Sequence, residues 1–94
     1  MTLSIKFIGA LRHLSGKTNM PLDFRDGLTI KEIVDSVSQQ IPELKRTFCD
    51  SDLNDARSNS LILVNGVEIS VLNGYKTKVS DGDEIVFVPV VHGG

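Results

Sequence analysis

Residues 29–41 carry the apolar spacing of a helix that is apolar along one stripe only. The stripe consists of Ile30, Ile33, Val34, Val37 and Ile41, which share one face at 3.6 residues per turn. Thr29 and Glu32 have the spacing of a capping box at the start of the helix. Pro42 disfavours helical geometry at the residue before it, so we expect the helix to stop at Ile41. Such a helix covers one face of a sheet and leaves the opposite face uncovered.

The other apolar residues predict strands. Leu3, Ile5 and Phe7 alternate with polar neighbours, which is typical of a half-buried strand. Residues 20–24 alternate in the same way, and Pro21 within them indicates an edge strand. Asn65-Gly66 lies between the β-forming segments 61–64 and 67–70, which is a strong signal for a hairpin. A charged turn over residues 80–84 precedes a last strand that begins at residue 85.

Strands combined with one amphipathic helix predict a two-layer α+β fold. The first and last strands are the most apolar, so we expect them to be central neighbours in a mixed sheet of four to five strands. That arrangement is the β-grasp fold of ubiquitin. Residues 43–60 are polar and irregular, and we expect an exposed connection there with Leu44, Phe48 and Leu53 as candidate apolar anchors. No linker or repeat interrupts residues 1–94, which predicts a single domain.

The last strand is apolar on both faces. Where Ile85 and Phe87 face the helix, Val86 and Val88 face away from it, and Ile8 joins them from the first strand. Because the sequence offers no second helix to cover this face, an exposed patch of Ile8, Val86 and Val88 is a candidate docking surface for a protein partner. The alternative is that these side chains reflect β-propensity alone.

Composition narrows the classes of function. The 94 residues have a net charge of −2 and no basic cluster, which disfavours nucleic-acid binding. No apolar run approaches the ~20 residues of a membrane span, and the N-terminus is unlike a signal peptide. Cys49 is the only cysteine, so an internal disulfide is impossible. We expect a cytoplasmic protein.

The side chains do not suggest a catalyst or a metal site. Cys49 has no adjacent cation to favour a thiolate. His13 and His92 are distant in sequence and have no accompanying carboxylate motif, so they form a weak metal signal. No glycine-rich phosphate loop occurs. We therefore expect no catalytic residue, no metal and no cofactor of the protein's own.

The remaining candidate for a reactive group is the terminal carboxylate of Gly94, which Gly93 precedes. Neither glycine has a Cβ, so the pair is thin enough to enter a narrow slot. A carboxylate resists nucleophilic attack until it is activated, for example as an acyl-adenylate. An extended tail on a rigid body suits both activation and delivery, which makes a carrier plausible without identifying its cargo.

Four segments of the chain carry a resemblance to a known family: Ile5-Lys6-Phe7, Leu11-Arg12-His13-Leu14-Ser15-Gly16, Leu63-Val64-Asn65-Gly66, and residues 79–94 with Asp81-Gly82-Asp83-Glu84 and the final Gly-Gly. They resemble the MoaD/ThiS family of ubiquitin-like sulfur carriers, and residues 79–94 are similar to that family's ending. The chain has Val88-Pro89-Val90 where family members often have an aromatic residue followed by two prolines. The resemblance covers the whole chain.

The resemblance implies that a MoeB-like enzyme adenylates Gly94 with ATP and that a sulfur donor enzyme then supplies a thiocarboxylate. The tail would consist of Pro89, Val90, Val91, His92 and Gly93. The resemblance is closest to the small subunit of molybdopterin synthase, which inserts its tail into a MoaE-like large subunit and gives sulfur to a pterin precursor. The protein is then a co-substrate in molybdenum cofactor biosynthesis.

Two other readings stay open at this stage. The ending His92-Gly93-Gly94 is also similar to the ubiquitin-related modifiers, which act in tRNA thiolation and can be conjugated to lysines. Alternatively, the chain is a β-grasp interaction module whose tail is inert.

Overall fold

A computed structural model of the protein describes residues 1–44 and 60–89. Within these ranges the strands are β1 (Thr2–Phe7), β2 (Asn19–Asp23), β3 (Ser60–Val64), β4 (Val67–Glu68) and β5 (Glu84–Pro89). The helices there are α1 (Ala10–Ser15) and α2 (Ile30–Gln40). Short 3-10 helices cover Pro42–Leu44, Ile69–Val71 and Gly74–Lys76.

The strands of the described ranges form one mixed sheet in the order β2-β1-β5-β3-β4. β1 runs parallel to β5, with Ile5 opposite Ile85, and β3 runs antiparallel to β5, with Ile62 opposite Phe87. The prediction that the first and last strands are central neighbours is confirmed. The architecture is the α+β β-grasp fold, with α2 as its main helix.

The helix α2 forms where the sequence predicts it. The Thr29 hydroxyl accepts the backbone N–H of Glu32, and the Glu32 carboxylate accepts the N–H of Thr29, so the capping box is complete. The apolar stripe is buried. The last helical residue is Gln40, and the N–H of Ile41 still donates to the carbonyl of Val37. The proline at position 42 ends the helix as expected.

Pro21 lies in the edge strand β2, opposite Ser4 of β1. Its missing N–H costs no ladder hydrogen bond when it faces away from the neighbouring strand. At the other side of the sheet, Asn65 and Gly66 have φ values of 51° and 87°, and Val64 pairs with Val67 across the turn. Both the edge strand and the hairpin are confirmed.

The second strand of the hairpin is shorter than the sequence predicts. We expected it to continue to residue 70, but β4 contains only Val67 and Glu68. The Glu68 carboxylate accepts the backbone N–H of Ser70 over 2.7 Å, which stabilises the 3-10 turn Ile69–Val71 instead. A local side-chain hydrogen bond therefore competes successfully with the strand ladder.

The core lies between α2 and the face of the sheet formed by alternate residues of β1, β5 and β3. Phe7 and Phe87 stack at its centre with ring centroids 5.8 Å apart. Leu44 is fully buried, as expected of an anchor. The other predicted anchors, Phe48 and Leu53, lie outside the described residues, as does Cys49. Among the described residues no helix has the length and apolar character needed to cross a membrane.

Candidate functional site

The strand β5 ends at Pro89, which is the first residue of the predicted tail and the last residue that the structure describes in this part of the chain. Pro89 lies opposite Ser60 of β3, and β1 flanks β5 on the other side. The chain thus reaches its final residues from the middle of the sheet and not from a free edge. The tail residues Val90, Val91, His92, Gly93 and Gly94 lie outside the described ranges, so their predicted roles stay predictions.

Gly9 lies beside this strand end. The N–H of Ile8 donates to the carbonyl of Phe87 over 3.2 Å and extends the pairing of β1 and β5 past Phe7. Gly9 follows with φ 61° and ψ −135°, immediately before α1. Its Cα faces the Pro89 ring: a Cβ built on Gly9 would lie 3.2 Å from Pro89 Cγ.

The predicted docking residues lie at the same end of the sheet but are not equally exposed. Ile8 is 47% exposed and Val88 is half-buried. Val86 is only 8% exposed, so the prediction that it contributes to an exposed patch is wrong. Its neighbours across the strands are Lys6 and Leu63, and side chains at such paired positions shield one another.

The structure adds two residues of β3 to this surface. Leu61 lies opposite Val88 and is 42% exposed, and the half-buried Leu63 lies opposite Val86. The open-face patch is accordingly Ile8, Leu61, Leu63 and Val88. The signal was present in the sequence, because residues 61–64 are apolar without alternation and an apolar run predicts a strand that is apolar on both faces.

A pair of opposite charges lies on the same face. Lys6 Nζ is 2.8 Å from Glu84 Oε2, and both side chains are nearly half exposed. Exposed ion pairs contribute little to stability. The main consequence of this pair is that one positive and one negative charge lie beside the apolar patch.

Two carboxyl groups away from the patch have lowered pKa values. The backbone N–H and hydroxyl of Thr29, with the Arg25 guanidinium, donate to Glu32 and lower its pKa against a smaller desolvation effect. The hydroxyl and N–H of Ser70 lower the pKa of Glu68 in the same way. Both groups stabilise local structure, as a helix cap and a turn.

Comparison with known proteins decides the family. The sequence matches the ThiS family over residues 5–94. The chain belongs to the ThiS family. This is the family of small, non-catalytic, ubiquitin-like sulfur carriers, and the resemblance drawn from the sequence is confirmed.

Among the proteins similar to this ThiS-family chain, two are modifiers by name. Small archaeal modifier protein 3 of Haloferax volcanii is 24% identical over 94 residues, the whole of both chains. The solution structure of small archaeal modifier protein 1 from Methanosarcina acetivorans has 28% identity and a TM-score of 0.81, over 99% of this chain and 96% of that one. Urm1 from Trypanosoma brucei has 25% identity and a TM-score of 0.78, over 99% of this chain and 95% of that one.

The ThiS-family chain has little else that could act chemically in its described part. His13 is exposed on α1. Within residues 1–44 and 60–89 no three His, Cys, Asp or Glu side chains are grouped so as to hold a metal ion. His92 and Cys49 lie outside these ranges. The described features that distinguish the molecule are therefore the end of β5 and the patch beside it.

Proposed function

We propose that this ThiS-family protein carries sulfur on its C-terminal carboxylate. The observation that supports the proposal is that β5, held between β1 and β3, delivers the chain to Pro89, five residues before Gly94. Five residues span at most about 17 Å when extended. That reach suffices for a carboxylate to enter an enzyme's active site while the body of the carrier stays on the enzyme's surface.

The chemistry belongs to the partners. A MoeB-like enzyme would join the Gly94 carboxylate to the AMP portion of ATP and release pyrophosphate. Sulfide (HS⁻) supplied by a donor enzyme would then attack the acyl carbonyl and displace AMP, which leaves a thiocarboxylate and releases a proton. Gly93 has no side chain and keeps the end thin, and residues 90–92 link it to Pro89 at the end of β5. The carrier needs no cofactor of its own for these steps.

As the first acceptor we propose a pterin precursor, with this chain as the small subunit of molybdopterin synthase and a MoaE-like large subunit as its partner. The turn Asp81-Gly82-Asp83-Glu84, the last strand and the final Gly-Gly together support this candidate, because they resemble the ending of that subunit. The open-face patch would seat the large subunit while the tail enters its active site.

A second candidate acceptor is a lysine amine or a tRNA uridine. Similarity to two small archaeal modifier proteins and to Urm1 favours it. The body and the first activation step are common to both candidates. They differ in what attacks the activated or sulfurated carbonyl.

Tail chemistry is tested with the full chain, a chain lacking Gly93-Gly94, and a chain extended by one alanine beyond Gly94. We expect the full chain alone to support ATP–pyrophosphate exchange by the host's activating enzyme. We also expect its intact mass, after sulfur transfer, to rise by the difference between sulfur and oxygen at Gly94. Equal exchange by all three chains would contradict the proposal and favour an interaction module with an inert tail.

The acceptor is tested by deleting the gene in its host and restoring either the full chain or the alanine-extended chain. Loss of molybdoenzyme activity, restored only by the full chain, identifies the pterin route. Loss of thiolated tRNA, or of lysine adducts that end in Gly94, identifies the modifier route. Unchanged levels of all three would contradict both acceptors.

A further inference from the structure

The contact between Gly9 and Pro89 differs from the surroundings of the other described glycines. All six described glycines have positive φ: Gly9, Gly16, Gly27, Gly66, Gly74 and Gly82. Around five of them a Cβ would meet nothing within 4 Å, so only the backbone angle favours glycine there. At Gly9 a Cβ would lie 3.2 Å from Cγ and 3.7 Å from Cδ of Pro89. Gly9 therefore satisfies both a backbone requirement and a steric one.

Pro89 is held from several directions. Its ring fixes its own φ near −65°, and it restricts Val88 before it to extended geometry. Ser60 lies opposite it on β3. The Ile8–Phe87 hydrogen bond holds the segment that leads to Gly9 against β5. Because Gly9 has no side chain, the Pro89 ring has the room that it needs beside position 9.

We propose that Gly9 is a positioning residue for the tail. By leaving room for the Pro89 ring, it fixes the point and direction in which the chain leaves the sheet towards Gly94. This inference rests on the proposed carrier function and adds a residue that lies far from Gly94 in sequence.

The expected consequence is a loss of rate more than a loss of binding. A methyl group at position 9 would push the Pro89 ring by a few tenths of an ångström. A small rotation at the base of a five-residue segment becomes a larger displacement at its end. Misplacing a reacting group by about 1 Å can reduce a rate on the order of 100-fold. The open-face patch keeps its side chains, so binding of the body should change less.

The experiment compares the full-length wild type with Gly9→Ala, Pro89→Ala, the double variant, and Gly27→Ala as control. Gly27 also has positive φ, but a Cβ there meets nothing. The readouts are kcat and KM of ATP–pyrophosphate exchange with the host's activating enzyme, and circular dichroism to establish folding. We expect Gly9→Ala to lower kcat about tenfold or more with KM within about twofold, and Gly27→Ala to leave both near wild type.

Introducing Gly9→Ala into the Pro89→Ala variant separates the effect of the contact with the Pro89 ring from the effect of backbone strain at position 9. If the ring contact is the cause, adding Gly9→Ala to Pro89→Ala has no further effect on kcat. An equal fold-loss in both backgrounds would assign the effect to backbone strain at position 9 and overturn the proposal. So would a kcat for Gly9→Ala equal to that of the control.

A second measurement is independent of enzyme activity and of the fold of the Gly9 variant. ¹⁵N relaxation of the Val90 amide should report greater mobility in Pro89→Ala than in the wild type and in Gly27→Ala. Identical relaxation in the three proteins would overturn the proposal. Failure of the wild type itself to support pyrophosphate exchange would instead count against the carrier function, and the relaxation result would still decide whether the Pro89 ring holds the end of the strand.

Discussion

The side chain of Asn65 bridges the hairpin tip to the start of β5. Its amide nitrogen donates to the Asp83 carboxylate over 2.9 Å, and its amide oxygen accepts the N–H of Glu84 over 3.0 Å. The backbone N–H of Asn65 also donates to the carbonyl of Glu84 over 2.8 Å. Two segments that separately resemble the carrier family, residues 63–66 and 79–94, thus meet at one contact. Asn65 therefore holds the beginning of β5, and Gly9 lies beside its end.

Replacing Asn65 tests this contact. Asn65→Ala removes the two side-chain hydrogen bonds. It also places an alanine, whose side chain can form no hydrogen bond, in the left-handed conformation at φ 51°. We expect a loss of about 2–5 kcal/mol in the free energy of unfolding, since the two hydrogen bonds contribute about 0.5–1.5 kcal/mol each and the left-handed conformation costs about 1–2 kcal/mol. Asn65→Gly keeps the conformation accessible and should lose less. Urea unfolding of both variants measures the difference, and equal losses would contradict a conformational cost at this position.

Sequence signals made α2 and the central position of β1 and β5 predictable. Thr29 and Glu32 are three residues apart, so their capping box can be read directly from the sequence. The apolar character of the first and last strands predicted that β1 and β5 lie next to each other in the sheet. The Asn65–Asp83 and Gly9–Pro89 contacts could not be predicted in this way, because each joins residues far apart in sequence. The Gly9–Pro89 contact also depends on a space that no residue pattern encodes.

Acid should weaken the cap of α2. Because hydrogen bonds lower the pKa of Glu32 in the folded protein below the ordinary value of 4.5, the carboxylate stabilises the fold above that value. The contribution is lost as the pH falls through the lowered pKa. Glu32→Gln should therefore destabilise the protein at about pH 7, and the difference from the wild type should disappear at about pH 2. The measurement is chemical unfolding of both proteins at both pH values, and a difference that is unchanged in acid would contradict this role for the carboxylate.

The ion pair of Lys6 and Glu84 should contribute little to stability. Both side chains are nearly half exposed, so Glu84→Gln should change the free energy of unfolding by less than about 1 kcal/mol. Salt screening should reduce that difference further at about 1 M NaCl. Thermal unfolding at low and high salt checks both expectations. A larger loss that persists in salt would show that Glu84 acts through another contact.

The exposed surface of the sheet was only partly predictable. Alternation along the last strand correctly placed Val88 away from the helix, but it could not show that the neighbours of Val86 leave it 8% exposed. Burial on an open face depends on which side chains lie opposite in the adjacent strands, here Lys6 and Leu63. That register becomes known only when the sheet is assembled. Likewise, the apolar run of residues 61–64 indicates that β3 is apolar on its outer face, but only the pairing with Val88 places Leu61 in the patch.

Leu61 offers a direct test of the open-face patch as a docking surface. Leu61 and Leu72 are each 42% exposed, but only Leu61 belongs to the patch. If the activating enzyme binds this face, Leu61→Lys should raise KM for the carrier about tenfold with little change in kcat, because it weakens binding of the body and leaves the tail chemistry unaltered. Leu72→Lys, a change of the same kind at equal exposure, should leave KM within about twofold of the wild type. Thermal unfolding of both variants establishes that the fold is retained. Equal KM values for the two variants would place the activating enzyme on another surface. Binding of the MoaE-like large subunit to the same two variants would then decide whether this face docks a partner or whether its apolar side chains reflect β-propensity alone.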